Sequence, residues 1–209
     1  MTTGKFITFE GGEGAGKSTQ VSLLAERLKA HGLDPVLTRE PGGATQAEIV
    51  RHLLVTGEVD RWSPEAEALL NYAARDDHLR STIRPALSAG RWVLCDRFAD
   101  STRANQGLTG GVDLASIEAI HKMVVKGTDP DLTIIMDLPA ETGLARAIER
   151  GDANRFENKG LEFHTNLRGA FLDLAEKFHE RCVVVDASRS IEQIAEEIAK
   201  VVEDRLLSG

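Results

Sequence analysis

Phe6-Ile7-Thr8-Phe9-Glu10-Gly11-Gly12-Glu13-Gly14-Ala15-Gly16-Lys17-Ser18-Thr19 decides the fold. An apolar run leads to Glu10, a Gly-x-x-x-x-Gly-Lys-Ser signature occupies 11–18, and Val21, Leu24, Ala25 and Leu28 follow at helical spacing. Glycines let the chain curl until successive N–H groups converge, and the start of the helix adds its own donors, so the stretch forms an anion cradle. The candidate nucleotide-binding residues are therefore Gly11, Gly12, Glu13, Gly14, Ala15, Gly16, Lys17, Ser18 and Thr19. Lys17 would reach the outer phosphates of a nucleoside triphosphate, and the Ser18 hydroxyl would hold Mg²⁺.

Outward from this loop, short apolar runs alternate with helical patterns. Strand candidates are 6–9, 35–38, 92–95, 132–137 and 182–186, rich in Val, Ile and Leu as strands covered on both faces are. Ser63-Pro64-Glu65 starts a helix with Leu69, Tyr72 and Ala73 at helical spacing. Ser190-Ile191-Glu192-Gln193 starts the last helix, with Ile191, Ile194, Ala195, Ile198 and Val202 on one side. Strand–helix alternation predicts an α/β fold with a parallel sheet. No linker or repeat interrupts it, so one domain over 1–209 is expected.

The composition narrows the function classes. The 209 residues carry 25 basic and 33 acidic side chains, a net charge of −8, which excludes a polyanion-coating protein or a basic membrane-surface segment. Arginine supplies about two thirds of the basic residues and suits two-point contact with phosphate, so a local anion site fits an acidic chain. Cys95 and Cys182 are far apart within apolar runs, as buried reduced thiols are, and the histidines form no ligand-spaced pair. No secretory signal or membrane-length apolar run is visible, which predicts a cytoplasmic protein with no membrane partner. The sole Asn-Lys, Asn158-Lys159, lacks the aspartate of a guanine-specific switch, and a small kinase fits the size best.

Further carboxylates and arginines cluster by position. Asp96, at the end of the 92–95 strand, is placed to hold Mg²⁺ or its waters, with Arg97 beside it for an anionic substrate. Arg39, before Glu40-Pro41-Gly42-Gly43, ends another strand near the same edge. Arg146, Arg150 and Arg155 surround a glycine-bounded loop, and charge delivered there on closure would stabilise a transferring phosphoryl group.

With these pieces in this order the chain resembles the thymidylate kinase family. The resemblance runs from about Lys5 to Asp186: the loop through Thr19, Arg39-Glu40-Pro41-Gly42-Gly43, Ala73-Ala74-Arg75, Asp96-Arg97-Phe98 with Ser101-Thr102, and Gln106-Gly107. It continues through Asp137-Leu138-Pro139 to Arg150 and Asn154-Arg155-Phe156-Glu157, like the bacterial subtype with lid arginines. It implies a three-layer nucleoside monophosphate kinase fold with a five-stranded parallel sheet, a lid over about 147–160, ATP and Mg²⁺ as cofactors, and a homodimer. It also implies transfer of the γ-phosphate of MgATP to dTMP, with small-molecule nucleotides and no nucleic acid as partners. By position, Lys17, Arg97, Arg155 and its rival Arg150 would be catalytic. Glu13 would sit by the sugar hydroxyl, Arg39 and Arg97 would hold the monophosphate, and Arg75 would face the pyrimidine carbonyl. Ser101, Thr102 and Gln106 would complete the acceptor site.

Two positions depart from the family pattern. The ring expected four residues before Arg75 is Asn71, and the aromatic expected before Gln106 is Asn105. Tyr72 points about 100° away from Asn71 on a helix and does not simply replace it. A related kinase with a shifted base preference therefore stays open beside dTMP, as does an ATP-dependent switch protein without an acceptor.

Overall fold

Six consecutive buried residues, Phe6 to Gly11, form β1, the central strand of the sheet. The computed structural model describes residues 4–150 and 155–207. After β1 (Phe6–Gly11) come α1 (Lys17–Ala30), β2 (Val36–Arg39), α2 (Thr45–Val55), α3 (Pro64–His78) and α4 (Arg84–Ser88). The chain continues through β3 (Val93–Asp96), α5 (Ala99–Thr102), α6 (Leu114–Val125), β4 (Leu132–Asp137) and α7 (Ala140–Arg150). It ends with α8 (Leu161–Lys177), β5 (Cys182–Asp186) and α9 (Ile191–Val202). The strand order is β2-β3-β1-β4-β5, and every pairing is parallel.

Alternation along β1 explains the layers. Ile7 and Phe9 join Leu94, Ile134, Leu24, Leu28 and Ile198 in a core beneath α1 and α9. Phe6 points the other way, into a core with Val93, Tyr72, Leu79 and Ile117. With both faces covered, the sheet has the three-layer α/β architecture expected from the sequence. The strands fall at their expected places, with β2 and β3 starting one residue later and β1 running on to Gly11. Ser190 and Gln193 form the capping box on α9, and Ser63 caps α3 by accepting from the Ala66 N–H.

α3 departs from the expected helix face. Leu69 and Ala73 are exposed, whereas Glu67, Ala68, Tyr72, Arg75 and His78 are buried. Its inward face carries polar groups that bond across the molecule, so an apolar pattern does not mark it. Cys95 and Cys182 are buried free thiols. Among the described residues no helix is long and apolar enough to cross a membrane.

The register brings the functional strand ends together. Asp96 lies between Phe9 of β1 and Arg39 of β2, and Gly11 lies beside Met136 of β4. Chain connections diverge from β1 toward both sides of the sheet, leaving a crevice at the strands' carboxyl ends.

Candidate active site

The loop after β1 curls as its glycines allow, with Gly14 and Gly16 at φ 66° and 84° and α1 starting at Lys17. Gly14 also meets α7 backbone to backbone: a Cβ there would lie 2.1 Å from the Gly143 carbonyl oxygen. Lys17 is buried, and its Nζ donates to the carbonyls of Gly11 (3.2 Å) and Gly12 (2.6 Å). Burial, helped by Arg97, pushes its pKa down to about 8. The Ser18 hydroxyl donates to Asp96 Oδ2 at 2.5 Å, so the two oxygen groups expected at a metal stand together. A hydroxyl and a carboxylate beside a triphosphate loop suit a hard, oxygen-seeking cation that takes its remaining ligands from phosphate and water. Among the described residues there is no group of three or more His, Cys, Asp or Glu placed to hold a metal by protein ligands alone.

A cavity of about 460 Å³ opens along this loop from Glu13 to Thr19. Asp96, Arg97, Ser101, Thr102, Asn105 and Gln106 line it, as do Arg39 and Asn71. Gly11 and Gly12 are not among its lining residues. Arg97 takes a left-handed backbone at φ 68° and donates to Glu13 Oε1 (2.7 Å), the Gly11 carbonyl (3.0 Å) and Ser101 Oγ (3.1 Å). Burial opposes its charge, but Glu13, Asp96 and Glu10 outweigh burial and raise its pKa. Glu10, at the end of β1, accepts from the Phe98 and Ser101 N–H groups and the Ser101 hydroxyl, and so anchors the turn that carries Arg97. Arg39 extends to solvent and donates to Glu48 at 3.0 Å.

Arg75 stands behind the cavity wall. It donates to Glu40 Oε2 (2.8 Å), the Phe98 carbonyl (3.0 Å) and Thr102 Oγ1 (3.1 Å), which leaves its buried Nη1 without a partner among the described residues. Glu40 is itself fixed by His78 at 3.0 Å. The Tyr72 ring lies 4.5 Å from the Arg75 guanidinium, turned from the cavity as the helical angle requires. Asn71 and Asn105 each spend an amide N–H on a carbonyl one turn back, those of Glu67 and Ser101.

Arg155 does not reach the cavity. Its guanidinium donates to the carbonyls of Leu54 (2.9 Å) and Val59 (2.8 Å) and to Glu67 (2.5 Å), so a buried carboxylate and the end of α2 hold it away from the loop. Arg146 of α7 lines the cavity instead. The lid expected over 147–160 includes 151–154, which lie outside the described residues, as does the Arg150 side chain. Arg51 and Phe156 also line the cavity, and the sequence reading assigned them no role. Burial and the neighbouring Arg39 lower the Arg51 pKa, as crowded cations do. About two turns into α2, Arg51 belongs to no motif, and only the helix's return to the crevice brings it there.

The cavity thus joins a triphosphate loop to a second cationic pocket with amide-bearing walls. A sequence model described as Thymidylate kinase matches residues 9–198. A thymidylate kinase of Caulobacter vibrioides is 56% identical over 206 residues, covering 99% of each chain. One of Afipia carboxidovorans is 52% identical, covering 99% of this chain and 92% of the relative. The crystal structure of thymidylate kinase from Ehrlichia chaffeensis superposes with a TM-score of 0.79 at 35% identity, over 96% of this chain and 99% of that one. Match and fold agree with the cavity's two halves: the chain belongs to the thymidylate kinase family.

Proposed function

We infer that the chain transfers the terminal phosphoryl group of ATP to dTMP, giving dTDP and ADP. The carrying observation is that the triphosphate loop and the pocket of Arg39, Arg51 and Arg97 open into one cavity. A switch protein has no use for the second half, and the full-length relatives favour dTMP over another acceptor.

The acceptor phosphate is already ionised and attacks in line, so positioning and charge stabilisation carry the reaction. Loop N–H groups and Lys17 would hold the donor phosphates; Lys17 would exchange its two carbonyl partners for phosphate oxygens. Arg97, braced by Glu13, would hold the acceptor phosphate together with Arg39 and Arg51. Glu13 would meet the sugar hydroxyl; Ser101, Thr102, Asn105 and Gln106 would surround the nucleoside with Asn71. The buried Nη1 of Arg75, without a partner among the described residues, supports its assignment to a pyrimidine carbonyl. Arg146 would bring positive charge from α7 to the transferring group, with Arg150 a second candidate and Arg155 tying its segment to the domain. Mg²⁺, held by Ser18 and Asp96, would neutralise phosphate charge. We further propose one domain with a lid over about 147–160, working in the cytoplasm as a homodimer.

ADP formation from MgATP with and without nucleoside monophosphates tests the reading. Strong stimulation by dTMP above other monophosphates is expected. Unstimulated hydrolysis, or a clear preference for another base, would overturn it.

A further inference from the structure

Among the described residues that line the cavity, Phe156 is the one aromatic side chain. The positions where a ring was expected carry Asn71 and Asn105, and Tyr72 is packed against Arg75. Phe98 is likewise buried, 5.1 Å from the same guanidinium. Phe156 enters the cavity by another route, from the segment between α7 and α8.

One carboxylate fixes that segment. Glu67, with a side chain only 2% exposed, accepts from Arg155 at 2.5 Å through Oε1. Its Oε2 accepts from Lys159 at 3.5 Å and from Gln106 at 2.8 Å. Arg155 and Lys159 in turn hold the Phe156 ring, their charged groups 4.7 and 4.9 Å from its centroid. The Glu67 carbonyl accepts from Asn71. Phe156, Asn71 and Gln106 all line the cavity, and Glu67 in the first turns of α3 bonds Asn71 and Gln106 directly and holds the ring through Arg155 and Lys159. Removing the carboxylate's charge would release two buried or half-buried cations, whereas an amide oxygen in its place can still accept from Gln106.

We propose that Phe156 is a specificity-determining residue for the acceptor base, and that Glu67 is the positioning residue that holds it. The ring supplies the flat apolar surface that positions 71 and 105 lack, and the pyrimidine lies against it. The assignment rests on the dTMP reading above. Base–aromatic stacking is strong enough that losing it weakens binding about ten- to hundredfold.

The test measures dTMP binding by calorimetry without ATP, and KM for dTMP and ATP, on the full chain. Wild-type turnover of dTMP is established first; its absence would overturn the dTMP reading itself. Phe156→Ala and Phe156→Leu are expected to weaken dTMP about ten- to hundredfold with ATP KM within about twofold, and Phe156→Trp to stay near wild type. Asn71→Phe should restore dTMP binding in the Phe156→Ala background, where it returns a ring to the same cavity. Glu67→Gln should raise the dTMP KM selectively and add little to Phe156→Ala, because both act through one ring. With dTMP turnover intact, unchanged dTMP affinity in Phe156→Leu, or a parallel loss of ATP and dTMP affinity in folded variants, would overturn the assignment. Additive effects of Glu67→Gln and Phe156→Ala would overturn the part given to Glu67.

Discussion

Glu10 is an acid enclosed at the centre of the molecule. Burial and the nearby Asp100 push its pKa up to about 7, against its hydrogen bonds to Ser101 and Phe98 and the attraction of Arg97. The folded chain therefore holds the proton more tightly than the unfolded chain does. Its contribution to stability is complete below the ordinary value of 4.5 and is lost as pH rises through about 7. Glu10→Gln keeps the shape and the acceptor for both N–H groups but cannot ionise. Wild type should lose up to about 3 kcal/mol relative to this variant between pH 4.5 and 8, read from urea unfolding at several pH values. A pH-independent difference would rule out Glu10 as the source. At this scale legibility followed backbone demand. The loop glycines, Lys17, Ser18 and Asp96 are required by strand-end geometry, so the sequence displays them. Arg155 stands away from the cavity because the partner that captures it, Glu67, lies on another helix, and a burial partner distant in sequence leaves no local pattern.

Among the elements, α3 shows the limit of apolar periodicity. Leu69 and Ala73 share the helical spacing of a core face yet lie in solvent, while Glu67, Arg75 and His78 turn inward. Polar residues satisfied by distant partners reverse the usual inference. The helix start, by contrast, was legible because capping is local: Ser63 accepts from Ala66 N–H, and Pro64 follows. Ser63→Ala should cost about 1 kcal/mol, seen as a lower midpoint in thermal or urea unfolding. An unchanged midpoint would mean that packing alone sets the start of α3.

For the whole molecule, strand–helix alternation gave the class, and the resemblance supplied the strand count and the lid. Strand order is a matter of which helix packs on which face, so only part of it is present in the pattern of one strand. The cavity's basic lining is likewise diluted in a net charge of −8, because arginines from α2, α7 and the strand ends meet only after folding. Leu69 of α3 and Met123 of α6 leave exposed apolar surface, 58% and 65% accessible, on helices that pack against each other. Light scattering coupled to size exclusion should give twice the 22.7 kDa chain mass if these helices support the homodimer. A monomer mass at micromolar concentration would remove that proposal.

The contact between Gly14 and Gly143 limits how this enzyme can diverge. At Gly14 and Gly143 the phosphate loop and α7 meet backbone to backbone, so a side chain at either position would force them apart. A methyl group at 14 or 143 would run into a carbonyl oxygen at 2.1 or 2.3 Å, whereas Gly12, with open space around its Cβ direction, has room for one. Both positions are closed to drift. Changes in how the chain grips its nucleotide must arise in the side chains around the loop, and α7 must move with the loop whenever either shifts.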